Sequence, residues 1–264
     1  MRRVAAIFVV LLAAVPATAG AAPAPAPAAP PELRAVRVPL PPKIDGRLDD
    51  PAWRAAPVQR GFLQRSPDEG APATEATEVR VVYDDRALYV GFFCRDRQAG
   101  TIRPRLGRRD GIPQSDWVAI AIDPYFDRKS AFSFVVNNAG VLSDVAMVDG
   151  GEDDFGWDGV WSAEVRVGAD GWTAEVRIPF ATLRFSPRAP LRFGVHVRRY
   201  LNRLQETSEW PLIPSRSASV IGNFATLTGL EGVRPGLRLQ MLPYALLQWT
   251  PSHAEGSLAP RRAL

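Results

Sequence analysis

The sequence predicts an all-β fold, an antiparallel β-sandwich of the jelly-roll type. Three observations predict it. Short runs alternate apolar and polar side chains at the period of two that a half-buried strand requires. Turn signals separate them: Asp45-Gly46, Asp84-Asp85-Arg86, Asn137-Asn138-Ala139-Gly140 and Gly168-Ala169-Asp170-Gly171. No stretch after the N-terminus keeps a helical period, so roughly ten or more strands have to pair in two stacked sheets. With 46% hydrophobic residues among 264, the chain has the apolar side chains for such a core.

The elements follow in order. Residues 1–19 read as a secretory signal peptide: Arg2 and Arg3, an apolar run from Ala5 to Val15, and a small-residue cleavage site at Ala17-Thr18-Ala19. The run is short for a spanning helix; an uncleaved anchor is the alternative. Residues 20–32 form an Ala/Pro linker. The sandwich is assigned to residues 33–231. Leu33 to Val38 is a first short strand. Leu48 to Ala55 is a helical turn, packed onto the sandwich by Trp53. Gly61 to Thr77 is rich in Pro, Gly and Glu and reads as a loop. Glu78 to Tyr83 and Ala87 to Arg95 form a hairpin, with Val79, Val81 and Tyr83 on one face of the first strand and Leu88, Val90, Phe92 and Cys94 on one side of the second. Cys94 is the single cysteine, which excludes an internal disulfide and suits a buried small hydrophobe. Asp96 to Ile112 is an Arg/Gly/Pro loop long enough to suggest function.

The stretch from Gln114 to Trp161 organises the rest. It holds strands at Asp116 to Ile122, Ser130 to Asn138 and Val141 to Met147, then an acidic Gly/Trp loop from Gly150 to Gly159. Trp161 to Val167 and Trp172 to Ile178 form a nearly self-similar hairpin. With Val167 opposite Trp172, the apolar residues share one face. Glu164, Arg166, Glu175 and Arg177 then lie on a solvated face. Leu191 to Tyr200 places Phe193, Val195 and Val197 inward, with Arg192, His196 and Arg198 outward. Asn202 to Ser219 is polar, with Trp210 exposed. Gly222 to Leu230 closes the sheet. Residues 232–264 are the start of a truncated barrel-like domain or a tail. The alternating run Gly236 to Thr250 carries Tyr244 and Trp249 as interface aromatics. One strand cannot close a barrel, so this run belongs to a truncated barrel or adds to the sandwich.

The charge of +4 comes from Arg, with a cluster at Arg103, Arg105, Arg108 and Arg109. These residues are interleaved with Pro and Gly and lie on no helix face. They read as a solvated loop or a contact for lipopolysaccharide phosphates, and nucleic acid is not expected. Asp149, Glu152, Asp153, Asp154 and Asp158 offer hard oxygen ligands at a density that suits calcium, without the EF-hand spacing; a solvated acidic loop is the other reading. Zinc has only His196, His253 and the lone Cys94 to draw on. No serine sits in a nucleophile elbow and no Gly-rich loop opens a helix.

The ordered motifs IDGRLDDPAW (Ile44 to Trp53), VYDDRALYVGFFCRD (Val82 to Asp96), SDWVAIAIDP (Ser115 to Pro124), FVVNNAG (Phe134 to Gly140), WDGVW (Trp157 to Trp161) and GWTAEVRIPF (Gly171 to Phe180) resemble the carbohydrate-binding module family 9-like domain, a β-sandwich of the DOMON-like group. The segment Gly222 to Tyr244 resembles the junction in a bacterial subfamily where this module precedes an outer-membrane β-barrel domain. The resemblance implies an oligo- or polysaccharide ligand, structural calcium, association with glycoside hydrolases in carbohydrate catabolism, and a periplasmic or outer-membrane location. It implies Trp157 and Trp210 as stacking platforms, and Asp116, Asn137 and Arg109 as partners for hydroxyls. Gly111-Ile112-Pro113 stands where sugar-binding members carry a second Trp. A non-catalytic binding module comes first, ahead of a glycoside hydrolase using Asp116 and Glu152, and of a structural domain for an outer-membrane barrel.

Overall fold

The computed structural model describes residues 30–187 and 189–235. The signal segment, most of the Ala/Pro linker and the alternating run 236–250 lie outside the described residues. Thirteen strands and one α-helix are present: β1 (Glu32–Arg34), β2 (Val36–Arg37), α1 (Pro51–Ala55), β3 (Leu63–Ser66), β4 (Thr77–Tyr83), β5 (Ala87–Arg95), β6 (Trp117–Asp123), β7 (Ser130–Asn137), β8 (Leu142–Val148), β9 (Ser162–Gly168), β10 (Gly171–Pro179), β11 (Leu191–Leu201), β12 (Glu206–Trp210) and β13 (Ala225–Leu230).

They form two sheets. The larger has eight strands in the order β1-β13-β11-β6-β7-β8, with β12 pairing β11 and β3 pairing β12. The smaller has five, in the order β2-β4-β5-β10-β9. Pairing is antiparallel except for β1 with β13 and β2 with β4. The expected first strand is thus two: the chain leaves one sheet after Arg34 and enters the other at Val36. The hairpin β9–β10 has the expected register, with Trp172 opposite Val167.

The inner faces meet in one core. Val79, Val81, Leu88, Val90, Phe92 and Cys94 of the small sheet face Val118, Ile120, Ile122, Phe134, Val195 and Val197 of the large one. Burial pushes the Cys94 thiol up to about 12, so it stays a protonated hydrophobe. At one end of the core Arg199, 1% exposed, crosses between sheets. Its guanidinium donates to Ala76 O at 3.1 Å, Thr77 Oγ1 at 3.2 Å and Arg95 O at 2.8 Å.

Both outer faces depart from the alternation pattern. On the small sheet, α1 and the Asp45-Gly46 turn lie over the face assigned to solvent. Glu175 is 0% exposed there. It accepts from the backbone N–H groups of Asp45 (2.8 Å) and Gly46 (2.9 Å) and from Trp53 Nε1 (2.7 Å). Gly46 sits at φ +79°, and a Cβ there would lie 2.8 Å from the Val165 carbonyl carbon. On β5, a Cβ at Gly91 would come within 2.7 Å of Leu48 and 3.1 Å of the Trp53 ring. Glu175 is therefore the buried anchor of the N-terminal segment.

On the large sheet, Ile213, Ile221 and Phe224 cover Ala121 and Ala131. His196, expected on a polar face, is 3% exposed and stacks on Phe224 at 5.3 Å. Its Nε2 lies 3.3 Å from Glu209, and burial holds its pKa below the usual histidine range. Two further expectations change. The segment Gly61 to Thr77 contains β3, which forms the sheet edge against β12. Trp210 is no exposed loop residue: it ends β12, opposite Val197, and packs against the core.

Glu175→Gln keeps one acceptor oxygen and turns an NH2 toward two backbone donors. Urea unfolding at neutral pH is expected to show a loss of about 1–3 kcal/mol; an unchanged midpoint would contradict the anchoring role.

Candidate functional site

The register sets a shallow trough, lined in part by half-buried side chains, on the outer face of the large sheet. Across the strands, Tyr200, Trp117 and Asn137 lie side by side. The next row holds Arg198, Ala119, Val135 and Ser143. The row beyond, His196, Ala121, Ser133 and Val145, leads under the apolar cover. In the first two rows Tyr200, Trp117, Arg198 and Val135 keep partial exposure, whereas Asn137, Ala119 and Ser143 are buried. Four strands at their usual spacing give a floor about 14 Å across.

Alternation explains how this floor is built. Val118, Ile120 and Ile122 of β6 point into the core, so Trp117 and Ala119 point out. Trp117 and Tyr200 are partly exposed and stack at 5.6 Å with 20° between planes. The Arg198 guanidinium lies 5.8 Å from the Trp117 ring centroid. Ala119 beside them is 1% exposed, covered by its larger neighbours.

Arg198 differs from the other arginines near the sheet. Arg199, Arg203 and Arg109 all have carboxylate or carbonyl partners. Arg198 makes no hydrogen bond or ion pair among the described residues. Desolvation by its surroundings lowers its pKa, and the charges of Glu209 and Asp153 oppose that shift. Glu209 is already engaged: it accepts from Ile213 N at 2.7 Å and faces His196. A planar five-donor group is therefore held beside an aromatic surface with no hydrogen-bond acceptor among the described residues.

The residues singled out from sequence do not converge on one site. Asn137 lies at the trough's edge, but its side chain is 0% exposed by residue and fully bonded. Nδ2 donates to Arg105 O (2.8 Å) and Ser115 Oγ (3.0 Å), while Oδ1 accepts from Ala139 N (3.0 Å) and Val141 N (2.8 Å). It fixes the β7–β8 turn. Asp116, 7% exposed, accepts from Asn202 N at 2.8 Å and lines a cavity of ≈ 90 Å³ with Asp96, Gln114 and Arg203. Burial and the neighbouring Asp96 charge raise its pKa. Arg109 staples three segments, donating to Asp144 (2.5 Å), Gly159 O (3.0 Å) and Asp158 (3.1 Å).

Trp157 lies on the core side of the sheet. Its ring stacks on Phe132 at 4.5 Å and meets Phe134 edge-on at 5.8 Å. Trp210 also faces the core. Neither reaches the trough. In the acidic loop, Asp149 caps the N–H groups of Val220 and Ile221, and Asp154 caps Gly156. Among the described residues no three acidic, His or Cys side chains gather as a metal cluster. Glu152 and Asp153 line a different cavity from Asp116, so Asp116 and Glu152 do not face each other as a hydrolytic pair. The residues missed were Trp117 and Tyr200. The signal was available: the alternation that sends Arg198 outward sends both of them to the same face.

Two stacked sheets with one outer face partly open define a β-sandwich module. The chain belongs to the carbohydrate family 9 binding domain-like family, whose model matches residues 44–208. Solved structures share the fold. A family 9 carbohydrate-binding module from Caldicellulosiruptor kristjanssonii, solved with cellotriose, is 17% identical, with 81% of this chain and 99% of that chain covered and a TM-score of 0.50. The module from the same organism solved with glucose is 17% identical, with 77% and 100% covered and a TM-score of 0.51. A protein of Bacteroides uniformis described as a candidate carbohydrate-binding protein is 13% identical, with 76% and 99% covered and a TM-score of 0.61. No curated protein matches the sequence.

Removing the four bonds of Asn137 should be costly whatever the trough binds. Asn137→Ala is expected to lower unfolding free energy by roughly 2–4 kcal/mol. Calorimetry showing a loss near zero would mean that the side chain is not the turn's internal brace.

Proposed function

We propose that this chain is an exported, non-catalytic saccharide-binding module, and that the sugar lies in the trough over Trp117, Tyr200 and Arg198. One observation carries the reading: a desolvated guanidinium with no side-chain partner among the described residues, beside a stacked aromatic pair. A pyranose presents an apolar C–H face and a polar rim. The face suits the indole and phenol rings. Adjacent hydroxyls on the rim suit the planar fork of an arginine, whose fixed geometry loses little freedom when it pairs. Ser143 and Thr207 border the same rows with further hydroxyl groups. Membership of the family and the glucose and cellotriose complexes of its structural relatives support a saccharide as ligand.

The signal-like residues 1–19 support export to the periplasm or outer membrane, where polysaccharide and its fragments are met. The run after the sandwich supports a barrel as neighbour. On this reading the module holds substrate for carbohydrate breakdown performed elsewhere.

Isothermal titration with glucose and cello-oligosaccharides tests the reading, with other neutral sugars screened alongside. Trp117→Ala and Arg198→Gln should each weaken binding at least tenfold, about 1.4 kcal/mol or more. Neither change breaks an internal hydrogen bond, so both variants should fold. Trp157→Ala should instead lower stability by about 2–4 kcal/mol and leave the affinity of the folded protein unchanged. Loss of binding in Trp157→Ala with full retention in Trp117→Ala would put the sugar on the other side of the sheet.

A further inference from the structure

The outer face of the small sheet carries a second site-like feature, on the opposite side of the sandwich from the trough. Glu78, Phe93, Thr173 and Arg166 lie in one row across β4, β5, β10 and β9. Glu78 is the focus of three arginines. Arg60 approaches it at 2.9 Å, Arg80 at 3.4 Å and Arg95 at 3.5 Å. Its side chain is 8% exposed, whereas those of Arg60, Arg80 and Arg95 are 61%, 21% and 47% exposed. The carboxylate is therefore underneath and the guanidiniums are on top. Arg95 also lies 4.4 Å over the Phe93 ring.

A pocket of ≈ 340 Å³ opens at this place, lined by Arg54, Glu78, Arg80, Phe93, Arg95 and Thr173 among others. Arg54 adds a guanidinium whose bond is to the Asp49 carbonyl and not to a carboxylate. Three arginines thus share one acid, and a fourth stands beside them. Two further acids lie along the row of Arg80: Glu175, two strands away and buried under the N-terminal segment, and Glu164, three strands away. Burial pushes the Glu78 pKa up, but the Arg60 hydrogen bond and the three positive charges outweigh it and hold the group below the usual carboxylate range. Glu78 therefore stays ionised and cancels one charge only.

Like charges at this spacing repel unless an anion joins them. Glu78 holds the Arg60, Arg80 and Arg95 guanidiniums from below, and Arg80 and Arg95 line the pocket together with Arg54. We propose that this pocket binds a tetrahedral oxyanion, a phosphate or sulfate ester, carried by a polyanionic glycan or a lipid headgroup. Guanidiniums match such oxygens through paired N–H donors. The proposal does not rest on the saccharide reading, because the two faces share no residue.

The test uses the full chain and inorganic sulfate, then phosphate, at constant ionic strength, with arginine side-chain Nε–H resonances as the readout. Saturable shifts are expected on Arg80 and Arg95. Arg80→Gln and Arg95→Gln should each weaken binding about two- to fivefold, the range for one exposed charge pair. Glu78→Gln should tighten it by a similar factor, since it removes the competing charge; circular dichroism checks that the variant is folded. Non-saturating shifts shared with Arg103, Arg105 and Arg108 would overturn the site, as would unchanged affinity in both arginine variants. Dextran sulfate and phosphatidylglycerol vesicles then separate the sources: retention on one identifies the carrier. Saturation by inorganic sulfate with retention on neither would mean an adventitious ion only and would overturn the ester assignment.

Discussion

A carboxylate without access to water decides how this sandwich is closed. Glu175 sits in the middle of β10, on the side of the small sheet away from the core. Taking such a group out of solvent is unfavourable unless donors replace the lost water. Here the replacements are the Asp45 and Gly46 backbone and the Trp53 indole, all from one N-terminal segment. The segment is therefore drawn across the sheet, α1 is set on Val82, Ala87 and Tyr89, and a second small core forms outside the first. Gly46 and Gly91 permit the close approach, because a side chain at either position would collide with what lies opposite.

The large sheet shows the contrary outcome. Among the described residues its outer face is covered at one end, by Ile213, Ile221 and Phe224. His196 lies beneath it, with Glu209 3.3 Å away on the strand beside Arg198, while Arg198 and Trp117 keep partial exposure. The same physics that makes a buried unpaired group costly makes Arg198 informative. Arg199, one residue on, points inward and finds four acceptors; Arg198 points outward and finds none among the described residues. On the proposed reading, the acceptors for that guanidinium come from a bound sugar.

Much of the fold was legible because strands write their period into the sequence. The hairpin β4–β5, the three strands β6 to β8 and the register of β9 with β10 all follow from alternation between marked turns. Alternation reports which side of a strand a residue occupies, but not what lies above that side. Glu175 and His196 were assigned to solvent for this reason: the elements that cover them come from distant parts of the chain. Strand β3 was read as loop because it lies between Pro- and Gly-rich stretches and gains its order from pairing with β12. Part of the candidate site was hidden for a related reason. Loops dense in Trp and Asp attract attention, yet the ring of Trp157 packs on Phe132 and Phe134. The open aromatic surface lies on the strands themselves, where Trp117 and Tyr200 look like ordinary members of an alternating run. The motifs that carry the family resemblance through Asp45-Gly46, Trp53, Gly91 and Glu175 are mutual contacts of the sealed face, so they identify the fold more strongly than the ligand.

The central claim is that a sugar rests on the outer face of the large sheet, over a stacked aromatic pair and beside the Arg198 guanidinium. A crystal structure of the protein soaked with cellotriose addresses it most directly. The account predicts a sugar ring lying flat on Trp117 or Tyr200, with hydroxyl oxygens within hydrogen-bond distance of Arg198. Density for the sugar against Trp157 on the core side, with the trough holding only water, would contradict it.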